Sequence, residues 1–199
     1  MSYAPLACWW LSSAPPIFAC SPRYLVNRFA VAAISSPVDK LDQQQIITTL
    51  KALDIPHRIV QHPPVFSVAD SVGVAPEKYP VKNLFLVERN GPRKLLVIMD
   101  GLARLDVKGL AADLGTAKLH FGNENTLRQH MGVAPGSVSL FCLLHPGSQD
   151  VEVVVQKQLL SQPELGFHPG DNTATVFIPG ASIERFVAGV GREPVFVSM

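Results

Sequence analysis

Nowhere in the 199-residue chain does an apolar run reach the roughly 18 to 20 residues that a membrane-spanning helix needs, so a soluble protein is expected. Cysteine is scarce: Cys8, Cys20 and Cys142 are the only three, without C-x-x-C spacing. That argues against a disulfide framework and a structural zinc site. The six histidines are scattered with no H-x-x-x-H pair, and no metal is expected. Charge of either sign is sparse at 17% of residues, and the formal net charge is +1. Arg23, Arg28 and Lys40 face only Asp39 in the first forty residues, which leaves 14 basic and 15 acidic residues in the remainder. Such a body lacks the broad positive field of a non-specific nucleic-acid binder, so DNA is not an expected partner and any RNA contact must be local and shaped. Also missing are a G-x-S-x-G elbow, a G-x-G-x-x-G phosphate loop and any internal repeat.

What is present is a 47% apolar composition, typical of one compact domain with a single sizeable core. Residues 1–38 hold no acid, several Ser and Pro and both tryptophans, and they are read as a leader outside the fold. The leader lacks a basic start, which makes it a poor secretory signal, and it resembles an organelle-targeting segment only weakly; a cytoplasmic protein is expected. Residues 39–199 form the folded domain. Asp39 is a candidate N-cap for a helix carrying Leu41, Ile46, Ile47, Leu50 and Leu53 on one face. A short strand over 57–61 ends at His62-Pro63-Pro64, and Ser67 with Asp70 suggests the start of a short helix, packed beside Val65 and Phe66. Residues 83–88 and 94–99 are two apolar runs joined around Asn90-Gly91, the strongest hairpin signal in the chain. Short helices are expected over 106–114, 124–131 and 183–187, and strands over 118–121, 138–144, 151–155, 174–178 and 195–197. Strands in hairpins and runs, with short helices between them, define an α+β fold with a mixed, largely antiparallel sheet surrounded by short helices.

Three polar clusters interrupt apolar surroundings: His62-Pro63-Pro64, Lys82-Asn83, and His168-Pro169-Gly170-Asp171-Asn172-Thr173. Lys82 and Asn83 stand just ahead of Leu84-Phe85-Leu86-Val87, presenting a cation and an amide at the mouth of a buried strand. A lysine so placed can hold a phosphate or stabilise a developing oxyanion, although a solvated strand-end lysine has the same sequence signature. The third cluster is a rigid turn that can hold His168 and Asn172 at a cleft, or can simply close on its own Asx side chains. His62 by itself reads as a stiff strand end. No nucleophile with a partner base is evident: Cys142 lies in an apolar run that suits a buried, inert thiol, and Asp100, Asp106 and Asp113 suit turns and caps. Covalent catalysis is not indicated.

From about Leu41 to Val197, the order and wording of these clusters resemble the YbaK/prolyl-tRNA editing family, in particular its free-standing, ProX-like members that remove alanine from proline tRNA. The resemblance rests on four stretches: His62-Pro63 with Val65-Phe66-Ser67-Val68; Lys82-Asn83-Leu84-Phe85-Leu86; Gly132-Val133-Ala134-Pro135-Gly136-Ser137-Val138; and Phe167-His168-Pro169 with Asn172-Thr173-Ala174-Thr175. It implies that Lys82 and Asn83 belong to the active site. It further implies that His168 lines a substrate pocket beside Asn172 and Thr173, that Gly136, Ser137, Val138 and Ser139 form a substrate loop, and that His62 belongs to the same site. Glu77-Lys78-Tyr79-Pro80-Val81 departs from the family, whose members have Gly and His before the lysine, and Leu140 and Cys142 stand where the family tends to place Pro and Gly. The implied activity is hydrolysis of a mischarged aminoacyl-tRNA ester without a cofactor. The implied partners are the tRNA acceptor end and, at the level of the family, a prolyl-tRNA synthetase. Two other readings stay open: a non-catalytic tRNA-binding or synthetase-associated module, and a protein acting on another small ester or amino-acid conjugate.

Overall fold

A computed structural model describes residues 41–64, 79–170 and 172–198. The leader, the Asp39 cap, the short helix after Ser67 and Asp171 lie outside the described residues. Helix α1, Gln43–Ala52, is instead capped by Asp42, whose carboxylate accepts from the Gln44 amide at 3.2 Å, and it buries Ile46, Thr49 and Leu50. Strand β1 (Arg58–Gln61) follows, and then the hairpin of β2 (Val81–Glu88) and β3 (Lys94–Asp100). Its tip works as the sequence implies, with Asn90 in the left-handed region at φ 61°. The remaining elements are α2 (Val107–Asp113), β4 (Leu119–Phe121), α3 (Glu124–Met131), β5 (Val151–Gln156), β6 (Leu165–Phe167), β7 (Ala174–Ile178), α4 (Ser182–Gly189) and β8 (Pro194–Val197).

The strands form two sheets rather than one. Five strands run in the order β4-β2-β3-β5-β8 and three in the order β1-β7-β6. The β2 pairings with β3 and β4, and the β7 pairings with β1 and β6, are antiparallel, whereas β3-β5 and β5-β8 are parallel, so the sheets together are mixed and largely antiparallel. Strand β3 lies at the centre of the larger sheet and is buried on both faces: Leu96 and Ile98 enter one core, Leu95 and Val97 the other. The larger core fills the space between the two sheets and takes in α1, α3 and α4 through Leu50, Met131 and Phe186. The smaller one lies beneath α2, with Leu110 and Ala111 against Leu86 and Val97.

The strand expected over 138–144 is absent. Leu140–Leu144 is a short 3-10 helix capped by Ser139, whose hydroxyl accepts from the Phe141 amide at 3.3 Å. An apolar run of this length is compatible with either state, and here packing decides. All of Leu140, Phe141, Cys142 and Leu143 are buried, and Phe141 meets Phe167 and Phe186 edge-on at 5.9 and 5.5 Å between ring centroids. Strand β6 is not foreseen in the sequence because three residues around Gly166 carry no readable alternation.

Candidate functional site

Strand β2 begins at Val81, so Lys82 and Asn83 are its second and third residues and do not stand ahead of it. Successive side chains of a strand point to opposite faces. Val81, Phe85 and Val87 pack on the larger core and Leu84 and Leu86 on the smaller one, which puts Asn83 on the first face and Lys82 on the second. The half-buried Lys82 ammonium donates to the carbonyls of Ala103 and, at 3.4 Å, Gly101, in the loop that follows β3. Asn83 is the converse case: among the described residues its Oδ1 is buried without a hydrogen-bond partner. An unsatisfied carbonyl costs about 1 to 3 kcal/mol, which makes Asn83 an unfavourable residue for folding at this position.

The histidines come together at the end of the smaller sheet. Antiparallel pairing of β1 with β7 sets Gln61 opposite Ala174, and the His62 amide continues the ladder to the Thr173 carbonyl at 2.9 Å. The His62 ring spans the Pro63 carbonyl (Nδ1, 2.8 Å) and the Thr175 hydroxyl (Nε2, 2.8 Å). His168 follows β6 directly, with Nδ1 3.0 Å from the Ala174 carbonyl. A carbonyl can only accept, so Nδ1 of His168 carries the proton in the neutral ring and Nε2 offers a lone pair. The two rings lie 6.1 Å apart. His62, His168 and Thr173 are thus brought together, Asn172 is next to them in the chain, and Thr175 joins them as a residue that sequence reasoning treated only as part of a motif.

The two clusters share an origin. Tyr79 forms a parallel bridge with Leu165, and β2 touches β6, so Lys82 and His168 each lie three residues beyond the same bridge on chains running the same way. The glycine-containing segment is less integrated. Gly136 is exposed in the left-handed region at φ 90°, where a side chain would be strained, and the Ser137 amide donates back to Ala134 at 3.1 Å. No hydrogen bond among the described residues joins Gly136 or Ser137 to Lys82, Asn83 or either histidine. Burial pushes the Cys142 thiol up to about 11, the opposite of what a nucleophile needs. Among the described residues no three His, Cys, Asp or Glu side chains gather as metal ligands, and no helix is long and apolar enough to cross a membrane.

Comparison with known proteins matches residues 62–186 to the aminoacyl-tRNA editing domain family, a stretch that contains both clusters. Prolyl-tRNA editing protein ProX of Acetoanaerobium sticklandii is 32% identical over 152 residues, covering 75% of this chain and 93% of that protein. Prolyl-tRNA synthetase associated domain-containing protein 1 of Danio rerio is 28% identical over 173 residues, covering 85% and 92%. Two solved structures share the fold: hypothetical protein APE2540, with a TM-score of 0.64 at 20% identity over 79% of this chain and all of that one, and a candidate trans-editing enzyme for prolyl tRNA synthetase, with 0.61 at 17% over 79% and 96%. With this fold, these polar clusters and a family match across both of them, the chain belongs to the aminoacyl-tRNA editing domain family.

Proposed function

We propose that the protein is an aminoacyl-tRNA deacylase acting in trans on mischarged proline tRNA, with alanine as the amino acid removed. The carrying observation is Lys82, a cation half-buried at the start of β2 and held by two backbone carbonyls, on a strand that touches the one leading to His168. An ammonium has three hydrogens, and two carbonyls leave one for a phosphate or ribose oxygen of the terminal adenosine. An aminoacyl ester is already activated, so positioned water and charge stabilisation suffice and no covalent nucleophile is required. With Oδ1 turned inward, the Asn83 amide nitrogen is the group left to donate to the ester carbonyl. Backbone amides near Gly136 assist it, and the substrate's 2′-hydroxyl can help deliver the water. In this reading Asn172, Thr173 and His62 line the pocket beside His168 that admits alanine and excludes proline. Binding alone separates side chains by only ~1 to 3 kcal/mol per methylene, so exclusion by size carries the protection of the cognate amino acid.

Lys82→Ala tests this with purified alanyl-tRNA(Pro). Single-turnover deacylation is expected to fall by about 100-fold or more with the melting temperature little changed, and full activity in the variant would remove Lys82 from the mechanism. The second reading, a synthetase-associated module that holds the acceptor end without cleaving it, is favoured by the weak integration of the Gly136 turn and by the name of the Danio rerio relative. Binding of alanyl-tRNA(Pro) without turnover would select it. Prolyl-tRNA synthetase is the proposed protein partner and the cytoplasm the proposed location.

A further inference from the structure

The loop that grips Lys82 is itself held by side chains outside the site described so far. Asp100 ends β3, and its carboxylate has three donors around it: the Leu102 amide on Oδ1 at 2.8 Å, and the Tyr79 hydroxyl at 2.9 Å and Gln158 Nε2 at 3.4 Å on Oδ2. Gln158 also donates to the Tyr79 oxygen at 3.0 Å. The Asp100 amide donates to Gln156 Oε1 at 2.8 Å, and the Gly101 amide to the Pro80 carbonyl at 2.9 Å. Gly101 has to be glycine for this approach, because a Cβ there would stand 2.9 Å from Pro80 Cβ and 3.0 Å from its carbonyl carbon. The ties therefore run from the residues just before Lys82 to the loop whose carbonyls receive its ammonium. Burial, and next the Asp100 carboxylate, raise the Tyr79 pKa, so the phenol stays a donor at the neutral pH of an assay.

We infer that Asp100, with Tyr79 and Gln158, is a positioning device for the reaction: it sets the Gly101–Ala103 carbonyls and through them aims the remaining N–H of Lys82 at the tRNA. Asp100 acts through the loop and does not touch substrate. This inference rests on the proposed role of Lys82, and it adds that an anionic residue outside the polar clusters of the sequence controls that lysine. A mere stabilising role would lower the melting temperature and leave the state of the Lys82 amine unchanged.

The test uses the full chain as wild type, Asp100→Ala, Asp100→Asn and Tyr79→Phe, each with two readouts. Acetylation of Lys82 by acetic anhydride is followed by mass spectrometry, with Lys51 and Lys108 as internal references, and single-turnover deacylation is followed with alanyl-tRNA(Pro). Asp100→Ala is expected to free the amine, raising Lys82 acetylation several-fold against the references and slowing deacylation about 10- to 100-fold. Asp100→Asn keeps an oxygen for the Leu102 amide and should restore most of both. Tyr79→Phe, which removes a single hydroxyl, should shift both in the same direction by less, and it decides the matter if Asp100→Ala does not fold. Unchanged Lys82 acetylation in the folded variants would overturn the inference, as would raised acetylation with an unchanged deacylation rate. If wild type cleaves no mischarged tRNA, or Lys82→Ala cleaves at the wild-type rate, the functional reading falls instead, and acetylation still reports whether the loop holds the lysine.

Discussion

The two sheets treat polar side chains in opposite ways. The five-stranded sheet has cores on both faces, and the polar groups where β2 begins and β3 and β5 end, Lys82, Asp100 and Gln156, are each held by specific bonds to neighbouring backbone or side chains. In the three-stranded sheet, Ile59 and Val176 face the larger core, while Arg58, His62 and Thr175 sit on the other side. There Arg58 lies 4.0 Å from the Phe177 ring centroid and pairs with Glu164 through two hydrogen bonds. A polar group inside a sheet buried on both faces must be satisfied or it costs the fold; one on a half-open face can exchange protein partners for water or substrate. Asn83 is the exception in the larger sheet, and it marks the place where the demands of folding and of the proposed chemistry separate.

The comparison can be broken at several points. The largest effect on stability is expected from Leu96→Ala, which empties a fully buried site in the central strand: about 2 to 5 kcal/mol by chemical denaturation, with a smaller loss ruling out tight packing between the sheets. Next comes alkaline pH. The Cys142 thiol, in the core shared by both sheets, is raised from 9.0 to about 11, so the unfolded chain releases this proton first as pH rises. The contribution of this thiol should be constant below pH 9 and should fall between roughly pH 9 and 11 by about 2 to 3 kcal/mol, the part of the alkaline loss that Cys142→Ala removes. A pH titration of urea midpoints for both proteins checks this.

Asn83→Ala is expected to move stability and activity in opposite directions. Loss of an unsatisfied buried oxygen should leave stability unchanged or raise it by up to about 1 kcal/mol, while alanyl-tRNA deacylation falls at least tenfold. A variant that loses stability and keeps its activity would return Asn83 to a structural role. The smallest effect belongs to the half-open sheet. Arg58 is 42% exposed, so Arg58→Ala should cost only ~0.5 to 1 kcal/mol and that cost should shrink in high salt, both measurable by thermal denaturation at two ionic strengths.

Much of the architecture could be read without coordinates where the local pattern is strong. Asn90-Gly91 between two apolar runs places the β2–β3 hairpin, and the 3.6-residue spacing in α1 and α3 places those helices. Where local pattern was silent or ambiguous the reading failed. Leu140–Leu144 could not be told from a strand, and β6 was too short to show a period. Among the candidate residues, Lys82, Asn83 and His168 stood out because polar groups interrupt apolar stretches. Asp100 did not, because a carboxylate at a strand end looks like any turn residue until Tyr79, Leu102 and Gln158 are seen around it.

Composition and order of residues by themselves determined that the described chain would be an α+β domain with a polar break at the head of a buried strand, since burial and periodicity are written in neighbouring positions. Tertiary structure alone decided which face each polar group takes, that the strand bearing Lys82 and the one leading to His168 set out from a common bridge, and that Tyr79 and Gln158 meet the Asp100 carboxylate beside the loop holding the lysine. Strand pairing sets these relations: the β2–β3 hairpin brings the loop after β3 to Lys82, and the bridge between Tyr79 and Leu165 brings the strand that leads to His168 alongside.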